Sequence, residues 1–233
     1  MIDIHFVKVD LTKNMNKIKY MKKKLLTKQE IIEVLDSLET KYPDAKCELD
    51  YDSVYHLLLA VVLSAQTTDV SVNLASPALF TKYKTPQDLA EADVSEVEEM
   101  IRKIGLYKSK ARNIVALSKM LVESYEGEVP GDFAELIKLP GVGRKTANVM
   151  MAEAFGEQRI AVDTHVFRLA NKIGLCDEKD ADKTEAALMK RIPQDRWTRA
   201  HHLLIFHGRR CCEARKPRCE ECPISHLCIS YNK

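Results

Sequence analysis

A five-residue turn, Leu139-Pro140-Gly141-Val142-Gly143, stands between two short apolar-periodic segments and dictates how the middle of this chain must fold. The pattern predicts a short helix over Phe133 to Lys138, a tight turn over Leu139 to Gly143, and a second helix over Lys145 to Phe155 packed back on the first. Pro140 ends the first helix, and Gly141 and Gly143 accept backbone angles that a side chain would forbid. The turn therefore exposes bare amides at the start of a helix, a site suited to one phosphate oxygen. Such a contact positions a nucleic-acid strand without reading a base. On the residues alone, an ordinary helix pair whose glycines serve only the turn accounts for the same pattern.

Lys145 adds chemistry to that turn. It falls in the first turn of its helix, where the dipole is positive and Arg144 stands beside it, and both disfavour the ammonium form. A lysine held partly neutral is a nucleophile able to form a Schiff base with a carbonyl carbon. Asp163, in Val162-Asp163-Thr164-His165, is a carboxylate able to manage the proton of that amine. An aspartate before Thr-His-Val-Phe is equally a helix N-cap.

The rest of the chain reads as helix after helix. Thr27 and Glu30 form a capping-box pattern for a helix from about Lys28 to Lys41, with Ile31, Val34, Leu35 and Leu38 on its apolar face. Val54 to Leu63 is a core helix, Gln66-Thr67-Thr68-Asp69 interrupts it, and Val70 to Thr81 follows. Thr85-Pro86 opens a short helix, Asp93 to Ile104 is another closed by Gly105, and Ala111 to Tyr125 continues the series. Beyond Asp163 come helices over Val166 to Ile173, Thr184 to Arg191 and Arg196 to His207, with Asp177 to Asp182 as an exposed loop. Alternating apolar strands are almost absent, so the fold class is all-α. Residues 1–25 read as a basic tail, with Met21 as an alternative natural start.

The 233 residues carry a net charge of only +2, so any nucleic-acid surface must come from local placement of basic groups. No apolar run is long enough to cross a membrane, and the N-terminus lacks a secretory pattern, which points to the cytoplasm. Of seven cysteines, Cys212, Cys219, Cys222 and Cys228 follow C-x6-C-x2-C-x5-C. Four thiolates gathered in so short a segment signal a metal site, and the spacing fits either a structural zinc or a [4Fe-4S] cluster. Cys211, Cys47 and Cys176 lie outside the pattern. A metal-pinned loop would hold Arg215, Lys216 and Arg218 out toward phosphate, with Arg209 and Arg210 just before it.

Taken together, Leu139-Pro140-Gly141-Val142-Gly143-Arg144-Lys145-Thr146-Ala147 and Val162-Asp163-Thr164-His165 resemble the helix-hairpin-helix and catalytic aspartate of the endonuclease III family of DNA repair glycosylases. The resemblance spans nearly everything after about residue 26 and turns the cysteine reading toward the family's [4Fe-4S] module. It implies two helical domains with the DNA groove between them. One is a six-helix barrel over residues 47–157, with the hairpin at about 133–152; the other is an iron–sulfur domain joining 26–46 to 158–233. It further implies a bifunctional glycosylase and abasic-site lyase acting as a monomer on double-stranded DNA with oxidised or reduced pyrimidines. Lys145 would attack C1′ and Asp163 would assist. Gln66 and Leu106 would enter the duplex when the nucleotide leaves it, and Gly141, Gly143 and Arg144 would lie at the strand. Two rivals stand beside it. A monofunctional mismatch glycosylase of the same fold lacks a lysine at this position and usually has an added C-terminal domain, whereas this sequence stops five residues after Cys228. A non-catalytic helix-hairpin-helix protein with structural zinc would bind DNA without cutting it.

Overall fold

The structure, a computed structural model, describes residues 25–231; the basic tail read for residues 1–25 therefore lies almost entirely outside the described residues. Eleven α-helices make up the described part, and no strand occurs among those residues. The first, α1 (Lys28–Lys41), carries the expected capping box, with Thr27 and Glu30 each bonding the other's backbone amide. Its buried residues are Ile31, Val34, Leu35 and Leu38.

Seven helices gather round one hydrophobic core: α2 (Val54–Leu63), α3 (Asp69–Lys82), α4 (Pro86–Ala90), α5 (Val94–Met100), α6 (Tyr107–Tyr125), α7 (Phe133–Leu136) and α8 (Arg144–Glu153). Every residue of α2 from Tyr55 to Leu63 is buried, so this helix forms the centre of the core and the others wrap it. At about 1.5–3 kcal/mol for each large apolar side chain removed from water, α2 is a strong anchor. The residues that follow α2 are accordingly held on a rigid stem.

A second core is built by α1 together with α9 (Thr164–Ile173), α10 (Ala181–Arg191) and α11 (Trp197–Arg210). The connector between the two cores alternates its loyalties: Ala161 packs into the first, Ile160 and Val162 into the second. An extended segment sends successive side chains to opposite sides, so three residues suffice to pin both cores together. Trp197 packs against the second core and donates its indole N–H to the Ile192 carbonyl, a structural role.

Several helix boundaries differ from the sequence expectation, three of them with a clear local cause. The helix expected over Asp93 to Ile104 ends at Met100, and Ile101 to Ile104 continue as tight turns that let both isoleucines reach the core. The helix expected from Ala111 begins at Tyr107, directly after the left-handed Leu106. The exposed loop expected to Asp182 closes earlier, because Asp180 accepts from the Lys183 amide and starts α10 at Ala181.

Candidate active site

Gly143 is the N-cap residue of α8 and supplies no side-chain cap, so the first amides of the helix point out unpartnered by any side chain. The two glycines of the turn differ. Gly141 has φ +80, and a Cβ there would lie 3.1 Å from Asn113 and 3.2 Å from Val62 of α2. Packing of the turn onto α2 and α6 thus requires a glycine. At Gly143, φ is −95 and a Cβ would meet nothing within 4 Å. The fold gives no reason for glycine there; open space beside bare amides is what an approaching backbone phosphate would use.

That open space belongs to a cleft of about 1040 Å³. Gly141, Gly143, half-buried Lys145, Asp163, His165 and Gln66 all line it. Asp163 caps α9, its Oδ1 accepting from the Val166 amide at 2.7 Å, which fixes one oxygen and the rotamer of the carboxylate. Gln66 and Leu106 are both exposed and both left-handed, at φ 53 and φ 62. A side chain in that region costs about 1–2 kcal/mol, and positions of this kind cluster at functional sites.

Arg144 is committed elsewhere. Its guanidinium makes two bonds to Glu185, at 3.0 and 2.7 Å, and lies 3.7 Å from Asp182. Glu185 in turn accepts from Asn148 at 2.9 Å. The effect is to lock α8 against α10, which points the Arg144 charge into an ion pair and away from Lys145. Arg209 and Arg210, just before the cluster loop, make ion pairs: Arg209 holds Glu48 and Asp69, and Arg210 holds Asp44 and Glu48. Arg215, Lys216 and Arg218 are exposed, Arg218 within 3.9 Å of Glu213 and Glu221.

Sequence reasoning assigned no role to His165. It lines the cleft, its Nδ1 is buried without a hydrogen-bond partner, and its pKa is lowered by burial against the pull of Asp163. A Cβ at Gly208 would lie 2.8 Å from that nitrogen, so only glycine fits beneath the ring. The signal was present in its position two residues after Asp163.

At the other end of α11, a cavity of about 200 Å³ is lined by Cys212, Cys219, Cys222 and Cys228, with Cys211, His207 and Ile224 among its walls. Burial pushes the Cys222 thiol up to about 12, so a bound cation is what would make it a thiolate. Four soft donors round a largely apolar cavity fit an iron–sulfur cluster. Arg168 donates to the Cys212 carbonyl at 2.6 Å and points toward its sulfur at 3.9 Å, a second layer that orients the first ligand.

Comparison with known proteins decides the family. The model of the HhH-GPD superfamily base excision DNA repair proteins matches residues 59–194, more than half of the chain. Endonuclease III of Bacillus subtilis is 48% identical over 90% of this chain and 96% of its own. The chain belongs to the endonuclease III family. A second model, the iron-sulfur binding domain of endonuclease III, matches residues 212–228, beginning and ending on the first and last cysteines of the four. The endonuclease III family cofactor is a [4Fe-4S] cluster, and the cysteine cavity suits it. Among solved structures, a non-covalent endonuclease III–DNA complex superposes with a TM-score of 0.86 at 50% identity, covering 89% of this chain and 98% of that one. A trapped endonuclease III–DNA covalent intermediate matches with the same TM-score, identity and coverage. Among the described residues no helix is long and apolar enough to cross a membrane.

Proposed function

We propose that this member of the endonuclease III family is a bifunctional DNA glycosylase and abasic-site lyase, acting as a cytoplasmic monomer on double-stranded DNA that contains oxidised or reduced pyrimidines. The observation that carries the reading is the meeting of Lys145, Asp163, the bare amides of the Gly143 cap and Gln66 in one cleft. The two hydrophobic cores support a division into a barrel lobe (47–157) and a cluster lobe (26–46 with 158–233), with the groove for DNA between them.

In this reading the Lys145 amine attacks C1′ as the bond from C1′ to the base breaks, and the base leaves with the electron pair and a proton. The sugar ring opens to a Schiff base on Lys145. Loss of a C2′ proton then expels the 3′ phosphate by β-elimination, and water frees the lysine. Asp163, with one oxygen held by the α9 amide, has the other available to take the ammonium proton or to face the positive charge growing on the sugar. The Gly141 and Gly143 turn would hold a phosphate near the reacting nucleotide, and Gln66 and Leu106 would fill the gap it leaves. Arg215, Lys216 and Arg218 extend the phosphate contacts along the cluster loop. The cluster, held by Cys212, Cys219, Cys222 and Cys228, would order that loop and place its charges.

The test is a duplex with one reduced pyrimidine beside a duplex with one oxidised purine. Release of the reduced base with strand cleavage 3′ to it is the expected result. Base release with the strand left intact would point to a monofunctional enzyme, and tight binding with neither event to a passive binder.

A further inference from the structure

Lys110 breaks the pattern of its helix. It lies on the stripe of α6 that continues through Ala111, Ile114, Leu117 and Leu121 into the core, and it is 4% exposed. Among the described residues no carboxylate pairs with it, and burial alone pulls its pKa down to about 8. A core position would be filled more stably by an apolar side chain. The fold therefore gives no reason for an ammonium there.

Its one hydrogen-bond partner supplies a reason. The Lys110 Nζ donates to the Thr67 hydroxyl at 2.7 Å, and that hydroxyl donates on to the Ala65 carbonyl at 3.4 Å. Ala65 and Thr67 are the residues on either side of Gln66. At its other end Lys110 begins one turn after Leu106, its amide bonded to the Leu106 carbonyl at 3.1 Å. The two turns also touch directly, since a Cβ at Gly105 would lie 3.6 Å from the Thr67 hydroxyl and 3.7 Å from the Gln66 carbonyl. One buried side chain thus links two of the three left-handed non-glycine residues among the described residues, Gln66 at the cleft and Leu106 beside it in the Gly105 turn.

We propose that Lys110 is a positioning residue for nucleotide extrusion, tying the Gln66 turn to the Leu106 turn through Thr67 so that both side chains enter the duplex as one unit. The proposal rests on the glycosylase reading above. Two separately mobile turns would each have to be ordered on binding, and the tether removes that ordering from the extrusion step. Lys110 touches neither the reacting sugar nor Lys145; it acts through Thr67.

The experiment places a fluorescent adenine analogue next to a reduced pyrimidine in a duplex and follows unstacking by stopped flow. The proteins are wild type, Lys110→Met, Thr67→Val, Thr67→Ser and the Lys110→Met/Thr67→Val pair. Thr67→Val is included because it removes the hydroxyl at a half-exposed site where the fold is not at risk. Each of Lys110→Met and Thr67→Val is expected to slow unstacking about tenfold, the factor for one hydrogen bond to a charged group. The pair should be no slower than either single variant, and Thr67→Ser should keep the wild-type rate. Cleavage of a preformed abasic site, which has no base to unstack, should fall by less than about threefold. Wild-type unstacking in Thr67→Val, effects that multiply in the pair, or equal slowing on both substrates would overturn the proposal. A wild type that neither unstacks nor cleaves would instead sink the glycosylase reading.

Discussion

The Gly141–Gly143 turn and the paired turns at Gln66 and Leu106 are built on opposite principles. The Gly141–Gly143 turn removes side chains: its backbone seats on Val62 and Asn113 at one glycine and opens onto the cleft at the other. The Gln66 and Leu106 turns keep side chains in the backbone region that least tolerates them, and hold them out to solvent, Leu106 at 58% exposure. Glycine serves where something must come close to the backbone. A left-handed residue with a side chain serves where that side chain must itself reach outward. Both kinds of turn adjoin α2, which is buried from Tyr55 to Leu63, lies against the hairpin at Val62 and ends three residues before Gln66.

Substitution can break this contrast on either side. The largest effect belongs to Gly141→Ala, where a left-handed backbone and contacts near 3.1 Å act together. It should lower stability by about 1–3 kcal/mol and weaken DNA binding, read by chemical unfolding and by titration of an abasic duplex. Leu106→Gly should do the reverse. Because the side chain is exposed and its backbone suits glycine, stability should stay within about 1 kcal/mol of wild type while base release falls about tenfold. The smallest structural effect is expected at Gly143→Ala. With nothing within 4 Å of the new methyl group, the unfolding midpoint should not move, yet DNA affinity should drop several-fold as the methyl meets the strand. Equal losses of stability at both glycines would erase the distinction between them.

How much of this was legible in the sequence follows from distance along the chain. The capping box at Thr27, the hairpin about Gly141 and the cysteine spacing are written within a few residues, where local chemistry leaves few alternatives. Gln66 and Leu106 were named through family resemblance, and their shared left-handed backbone gives them a physical signature of their own. The ties that hold the cleft were hidden. Arg144 meets Glu185 across 41 residues, Arg209 meets Asp69 across 140, and Lys110 meets Thr67 across 43. Arg144 and Arg209 each pair with carboxylates that only folding brings near, so their partners cannot be read from neighbouring residues. Lys110 was hidden for a different reason: the helix expected from Ala111 left it outside, and only the observed start at Tyr107 puts it on the core register.

The central claim is that the cleft shared by Gln66 and Lys145 carries a nucleophile, the Lys145 amine. Borohydride reduction on a duplex with one abasic site, using wild type beside Lys145→Ala, tests it most directly. A covalent protein–DNA adduct in the wild type alone, with the modified peptide containing Lys145, is the predicted result. An adduct of equal yield in Lys145→Ala, or none in either protein while both bind the duplex, would contradict the account.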